Sequence, residues 1–392
     1  QKRGFKKGLI VLQYIYKRLT NQNQLITKNQ LHMKKVLHIF AAMLTSSFAF
    51  AQDDTETTTS PATTWGGSAD AYYKYDFSKQ MNGLTSFTNS QDSFELGMAS
   101  IEASHKFGKA SAFVDLGFGT RATEFSYNEY NNNKASFLIK QLFLKYDLSD
   151  SFSVTAGSFG THIGYELLDA VDNKNYSMSY AFSYGPFFNT GVKVQYVTGE
   201  FSFMLGVTNP TDFKSAMEAG SSQKTYLGQL AYITDTGSAY LNFTSGSTNS
   251  TPGTAVVPTG ENKTQFDFVG TKALSDAFSL GLNATYAKTT NDYDSDLDGE
   301  WFSLVGYAYY KFKENLGLAY RMEYFNAKDA VASLGTVAGS NVFANTVSLN
   351  YKVGNMTIIP EIRLDNASED VFLNSNSAPT GKMAFALVAA TY

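Results

Sequence analysis

The chain has 392 residues, no cysteine and a formal net charge of −4. Without cysteine there is no disulfide framework, no thiol nucleophile and no thiolate metal site. No apolar run reaches the about 20 residues of a membrane-spanning helix; a β-barrel is not excluded, since half of its strand residues face water.

Charge is unevenly placed. Residues 1–51 hold nine Lys or Arg and no acid, which leaves 22 basic and 35 acidic residues, a net of −13, in 52–392. Met33-Lys34-Lys35, the apolar stretch Val36–Leu44 and the small-residue end Ala49-Phe50-Ala51 have the three-part layout of a secretory signal peptide over 33–51. Cleavage is expected after Ala51. Residues 1–32 are read as an upstream segment outside the mature protein. Lys6, Lys7, Lys17 and Arg18 leave Leu9–Leu12 too short to be an anchor. An acidic exported protein is a poor ligand for nucleic acid, so none is expected as a partner.

Residues 52–64 are rich in Asp, Thr and Ser and read as a disordered lead-in. A barrel is expected over 65–392. In the first strand, Ala69, Ala71, Tyr73, Tyr75 and Phe77 share one face, and Ser68, Asp70, Tyr72, Lys74 and Asp76 the other. The split recurs near 112–122, with Ala112, Val114, Leu116 and Phe118 against Asp115, Gly117, Gly119 and Arg121. It recurs near 316–324, with Arg321 and Glu323 on the polar face, and near 358–365, with Glu361, Arg363 and Asp365 there. The pattern loses phase only around 92–106. Seven tight turns are expected at 107–109, 148–150, 198–200, 235–237, 274–276, 313–315 and 354–355. Eight longer connections lie at 78–91, 127–134, 160–187, 210–222, 248–262, 290–299, 327–341 and 367–381. Together they imply an all-β fold: a transmembrane antiparallel up-and-down barrel of about 16 strands, with short periplasmic turns and long extracellular loops. The 25 Tyr and 31 Phe against 2 Trp supply aromatic girdles for its two interfaces. The last strand ends on Tyr392, an aromatic of the kind read by the barrel-assembly machinery, an expected partner beside outer-membrane lipid.

Residues 160–187 break the hairpin pattern. The segment is long, aromatic and without clean alternation, so it is expected to pack inside the barrel and narrow it, the alternative being an ordered extracellular cap that packs on neighbouring loops. The runs Phe137–Tyr146, Ala156–Asp169, Asn175–Tyr180 and Gly185–Val192, with Asn209-Pro210-Thr211-Asp212, resemble the OmpL-like β-barrel porins of Bacteroidetes. The resemblance is clearest over 65–212. It implies an outer-membrane barrel of porin type and no particular substrate.

Enzymatic chemistry finds little support. Only His105 and His162 follow the leader, and no spacing brings a Ser–His pair or two catalytic carboxylates together. A transporter with a plug domain and about 22 strands needs a longer chain. Asp294, Asp296, Asp298 and Gly299 open like a Ca²⁺ loop, but the twelfth position is Val305, so an EF-hand is ruled out and only a weak Ca²⁺ site at Asp294, Asp296 and Asp298 is left. No other cofactor is expected. The candidate pore residues are Glu166, Asp169 and Asp172 on the loop, with Arg121, Lys193, Arg321, Glu323, Glu361, Arg363 and Asp365 on the wall. Arg facing lipid at mid-strand costs about 2–4 kcal/mol, which turns the arginines inward. The expected function is passive diffusion of small hydrophilic solutes through an outer-membrane porin, weakly cation-preferring, with a homotrimer as the expected assembly. The rival is a barrel with a blocked lumen that acts as a surface scaffold or adhesin.

Overall fold

A computed structural model describes residues 61–131, 133–215, 223–247, 261–291, 295–327 and 339–392. The leader 33–51 and the segment 1–32 lie outside the described residues. Strands β1 (Ala62–Asp76), β2 (Ser93–Phe107), β3 (Ala110–Phe118), β4 (Ile139–Asp147), β5 (Phe152–Gly160) and β6 (Phe188–Thr198) form the first part of the wall. It continues through β7 (Phe201–Thr208), β8 (Thr225–Thr234), β9 (Gly237–Ser247), β10 (Glu261–Ala273) and β11 (Phe278–Asn291). Then come β12 (Gly299–Lys313), β13 (Leu316–Ala327), β14 (Asn341–Val353) and β15 (Met356–Ala367). A two-stranded hairpin, β16 (Phe372–Leu373) with β17 (Pro379–Thr380), sits in the last long connection before β18 (Lys382–Thr391).

Every wall strand pairs antiparallel with its neighbours, and β18 pairs with both β15 and β1, so sixteen strands close into one barrel. All seven tight connections fall between strands as expected, and the eight longer connections leave from the opposite strand ends.

Side chains alternate as the pattern demands. On β15, Ile362 and Leu364 are 54 % and 49 % exposed while Glu361, Arg363 and Asp365 are buried. On β4, Leu142, Leu144 and Tyr146 form the outer face. Phe107, Tyr146, Phe201, Tyr232, Tyr310, Phe312 and Tyr351 stand outward beside the tight turns, which is the position of an interfacial aromatic girdle.

Two expectations are corrected, and a third is explained. The lead-in ends earlier than 64: Ala62–Thr64 already pair with Ser104–Lys106 of β2. The strand expected to run to Ala122 stops at Phe118, because Gly119 takes φ +126°, closed to most side chains, and starts helix α1 (Thr120–Phe125). Helix α2 (Tyr127–Asn131) follows. Arg121 is therefore a helix residue, although still fully buried. The lost phase in β2 is a bulge: between the pairs Ala69–Ala99 and Ala71–Leu96, Gly97 and Met98 both turn inward opposite Asp70, whose Oδ1 accepts the Met98 N–H at 3.0 Å.

The outer face makes a direct prediction. Ile362→Arg should lower the unfolding free energy in lipid vesicles by about 2–4 kcal/mol near the bilayer midplane. An unchanged unfolding midpoint would mean that this face meets water.

Candidate functional site

Residues 161–187, between β5 and β6, lie inside the barrel, and wall side chains hold their backbone. The Glu361 carboxylate accepts the N–H groups of Tyr176 (2.7 Å) and Ser177 (3.1 Å). Glu323, on a strand two places away, accepts those of Tyr180 (2.8 Å) and Ala181 (2.7 Å), the first turn of helix α3 (Tyr180–Ser183). Each carboxylate thus serves two consecutive amides, a charge-assisted arrangement that satisfies donors water cannot reach. Ser179 caps α3, accepting from Phe182 N at 3.1 Å, and donates its own N–H and hydroxyl to Glu166.

Cations on the same two strands hold loop carbonyls and Glu166. Arg321 Nη1 donates to Glu166 Oε1 and to Ser177 O, each at 2.5 Å. Arg363 donates to Met178 O at 2.7 Å and to Asp365 at 2.8 Å, and Asp365 accepts the Tyr180 hydroxyl. Arg121 reaches Leu168 O at 3.1 Å and lies 3.9 Å from Asp70. Asp70 also accepts the Tyr176 hydroxyl. Nearer the start of the loop, Asp267 accepts Gly164 N, Asn242 and Asn283, and His162 Nε2 lies 2.9 Å from Phe243 O. Burial pushes the His162 imidazole down to about 4, so it adds no charge near neutral pH. Tyr165 stacks on Tyr307 with ring centroids 4.0 Å apart.

The candidate residues therefore meet, but not in the expected way. Glu166 and Asp169 do not face Arg121, Arg321 and Arg363 across an open gap. They are buried, Glu166 in an ion pair with Arg321 and Asp169 in one with Lys140 at 2.7 Å. Asp172 is half-buried in the 3-10 turn Ala170–Asp172. Lys193 lies apart from the loop acids, with its ammonium 4.3 Å over the Phe159 ring. At the acidic loop, Asp294 is outside the described residues, Asp296 is exposed, and Asp298 Oδ1 accepts Asn291 N at 2.6 Å as a turn cap. His105 is exposed, 2.8 Å from Thr63 Oγ1.

The sequence reading missed Lys140. Its ammonium sits among Asp115 (3.0 Å), Asp169 and Ser100 (2.8 Å) and ties the loop to the wall opposite Arg321 and Arg363. It also occupies the middle of the one carboxylate group, Glu102, Asp115 and Asp169, whose spacing would suit a metal among the described residues. The register shift between Asp115 and Leu116 turns Lys140 inward, whereas alternation counted along β4 places it outward with Leu142 and Leu144.

Arg321→Met would strip Glu166 and Ser177 O of their buried partner. Removing one member of a buried pair costs about 3–5 kcal/mol, so amide hydrogen exchange at 176–181 should accelerate strongly while the wall strands stay protected. Unchanged protection at those amides would show that Arg321 does not hold the loop.

The fold has counterparts among solved structures. OmpT of Vibrio cholerae superposes with a TM-score of 0.55 at 12% identity, covering 86% of this chain and 99% of that one. An anion-selective porin from Comamonas acidovorans gives 0.56 at 10%, covering 85% and 99%. Salmonella typhi OmpF, in complex with daunomycin, gives 0.51 at 13%, covering 84% and 97%. At these identities the likeness is one of fold. No curated protein matches the chain by sequence. The sequence model of one family, described as "Putative beta-barrel porin-2, OmpL-like", matches residues 62–392, the whole of the closed wall, and the chain belongs to that family of outer-membrane barrels.

Proposed function

We propose that this outer-membrane porin lets small hydrophilic solutes diffuse passively, and that the loop 161–187 sets its narrowest section. The observation that carries the reading is the latch. Glu323, Glu361, Arg321 and Arg363 hold the loop backbone inside the lumen at fixed distances, as a passage of constant bore requires. Selection then rests on bore and wall charge, with no bond made or broken.

The weak cation preference expected from the loop acids loses most of its ground. Glu166 and Asp169 are compensated by Arg321 and Lys140. The expected partners are outer-membrane lipid along the apolar face and the assembly machinery during insertion. One structure of the Vibrio OmpT is described as a trimer form, and a homotrimer is the assembly we propose here.

A second reading has its own support. Tyr176, Met178 and Tyr180 of the loop are fully buried, and Phe87, Phe125, Phe187 and Phe188 cluster around Met178. Such packing suits a scaffold or adhesion barrel with a closed lumen. Planar-bilayer recording separates the two: a porin gives steady ohmic steps, a closed scaffold none.

Replacing residues 170–183 by a short Gly-Ser linker should raise single-channel conductance several-fold in a barrel that still shifts its gel mobility on heating. Equal conductance with and without the segment would place the narrowest section elsewhere. Neutralising Glu166, Asp169 and Asp172 together should loosen the loop, seen as noisier open-channel current, and shift ion selectivity only slightly.

A further inference from the structure

The strand register assembles a row of cations on the lumen wall below the loop. Lys106 on β2 pairs with Ser111 on β3, Ser111 with Lys145 on β4, Lys145 with Thr155 on β5, and Thr155 with Lys193 on β6. Within each strand these residues have the parity of the inward face: Leu144 and Tyr146 flank Lys145 on the lipid side, as Val192 does Lys193. Five adjacent strands thus present ammonium, hydroxyl, ammonium, hydroxyl, ammonium. Neighbouring strands are about 4.8 Å apart, so successive lysines are about 10 Å apart along the row. Barrel strands tilt by about 35–45°, so a row running straight across them climbs the pore axis by about 12 Å. The row starts beside the tight turn at 108–109 with Lys106 and rises to Lys193, six residues from its own turn.

The opposite wall carries the same sign. In the ring of sixteen strands, β12 and β14 stand eight places from β4 and β6. They bear Lys311 and Lys352 on inward positions, and Lys174 of the loop places its ammonium 5.3 Å over Tyr309. Carboxylates at this level are few. Asp147 pairs with Lys145 at 3.0 Å, Glu314 with Lys311 at 3.2 Å, and Asp172 lies on the loop. Among the described residues, no ion pair holds Lys106, Lys193 or Lys352. Among the described lumen acids, Glu166 and Asp169 pair with Arg321 and Lys140, Glu323 and Glu361 accept loop amides, Asp267 accepts Gly164, Asn242 and Asn283, and Glu102 stands two inward steps from Lys106 beside the Lys140 cluster.

We infer that the lower lumen is an anion pathway, and that the channel passes small anions such as chloride, inorganic phosphate and carboxylates in preference to cations of similar size. The inference rests on the porin reading. Within a confined passage, an ammonium about 8 Å from a permeating ion enriches anions about twofold at low salt even with the dielectric of water. Lys106 and Lys193 on one wall act in series on the same ion, with Lys145 between them sharing its charge with Asp147, and the low-dielectric wall strengthens each.

The test is the reversal potential of the full chain in planar bilayers under a KCl gradient, repeated with potassium phosphate. Wild type should show chloride more permeant than potassium, increasingly so as salt is lowered. The triple variant Lys106→Gln, Lys145→Gln, Lys193→Gln should reduce the chloride-to-potassium ratio by at least about threefold. If the triple variant fails to assemble, Lys145→Glu and Lys193→Glu made singly should each shift the ratio in the same direction. Conductance with potassium preferred, or a ratio unmoved by all these variants, overturns the anion pathway and leaves the porin reading intact. No conductance in the wild type overturns the porin reading and the pathway with it.

Discussion

A backbone in hydrocarbon must find all its hydrogen bonds within the protein, and everything else in this molecule follows from meeting that demand with strands. A sheet meets it only by closing, and here β18 joins β1 through the pairs from Asp70–Thr391 to Asp76–Phe385. Closure obliges each strand to show one face to lipid and the other to the lumen. It therefore dictates the alternation, the outward Leu, Ile and Tyr, and the concentration of ionisable groups within. A wall of sixteen strands then encloses more space than its own side chains can fill.

The chain fills that space from its third long connection. The polar contacts that seat the loop are unequal in kind. Buried ion pairs such as Arg321–Glu166 and Lys140–Asp169 offset a large desolvation cost, and their contribution is to position more than to net stability. Glu323 and Glu361 work differently: each takes two adjacent amides, so each fixes both the place and the direction of a backbone segment. The aromatic contacts around Met178 and Tyr180 supply the apolar burial that these groups do not.

Much of this could be read from the residues. Alternation along β13 and β15 correctly turned Arg321, Glu323, Arg363 and Asp365 inward, because those strands are regular from end to end. The seven tight turns gave the strand count, and the aromatic, unpatterned stretch marked the loop that enters the barrel. What escaped lies where a residue is added to the ladder. Gly97 and Met98 share one inward step, and the shift at Leu116 turns Lys140 to the lumen, so parity counted along the chain is wrong on one side of each. The pairing of the loop acids escaped for another reason. A pattern shows which face a side chain takes but not which group 29 residues or 155 residues away will stand against it, as Lys140 does for Asp169 and Arg321 for Glu166.

The places where the loop touches the wall are spread around the ring rather than gathered at one side. His162 meets β9, Gly164 meets β10, Tyr165 meets β12, and the Glu323 and Glu361 contacts fall on β13 and β15. Tyr176 meets β1 through Asp70, and Asp169 meets β4 through Lys140. A thin cylindrical wall resists stretching well and flattening poorly, since flattening needs only small changes in the angle between neighbouring strands. Internal contacts on opposite sides act as spokes. They convert a squeeze on one side into load on the other, so the segment that narrows the lumen also keeps its cross-section round under lateral membrane tension.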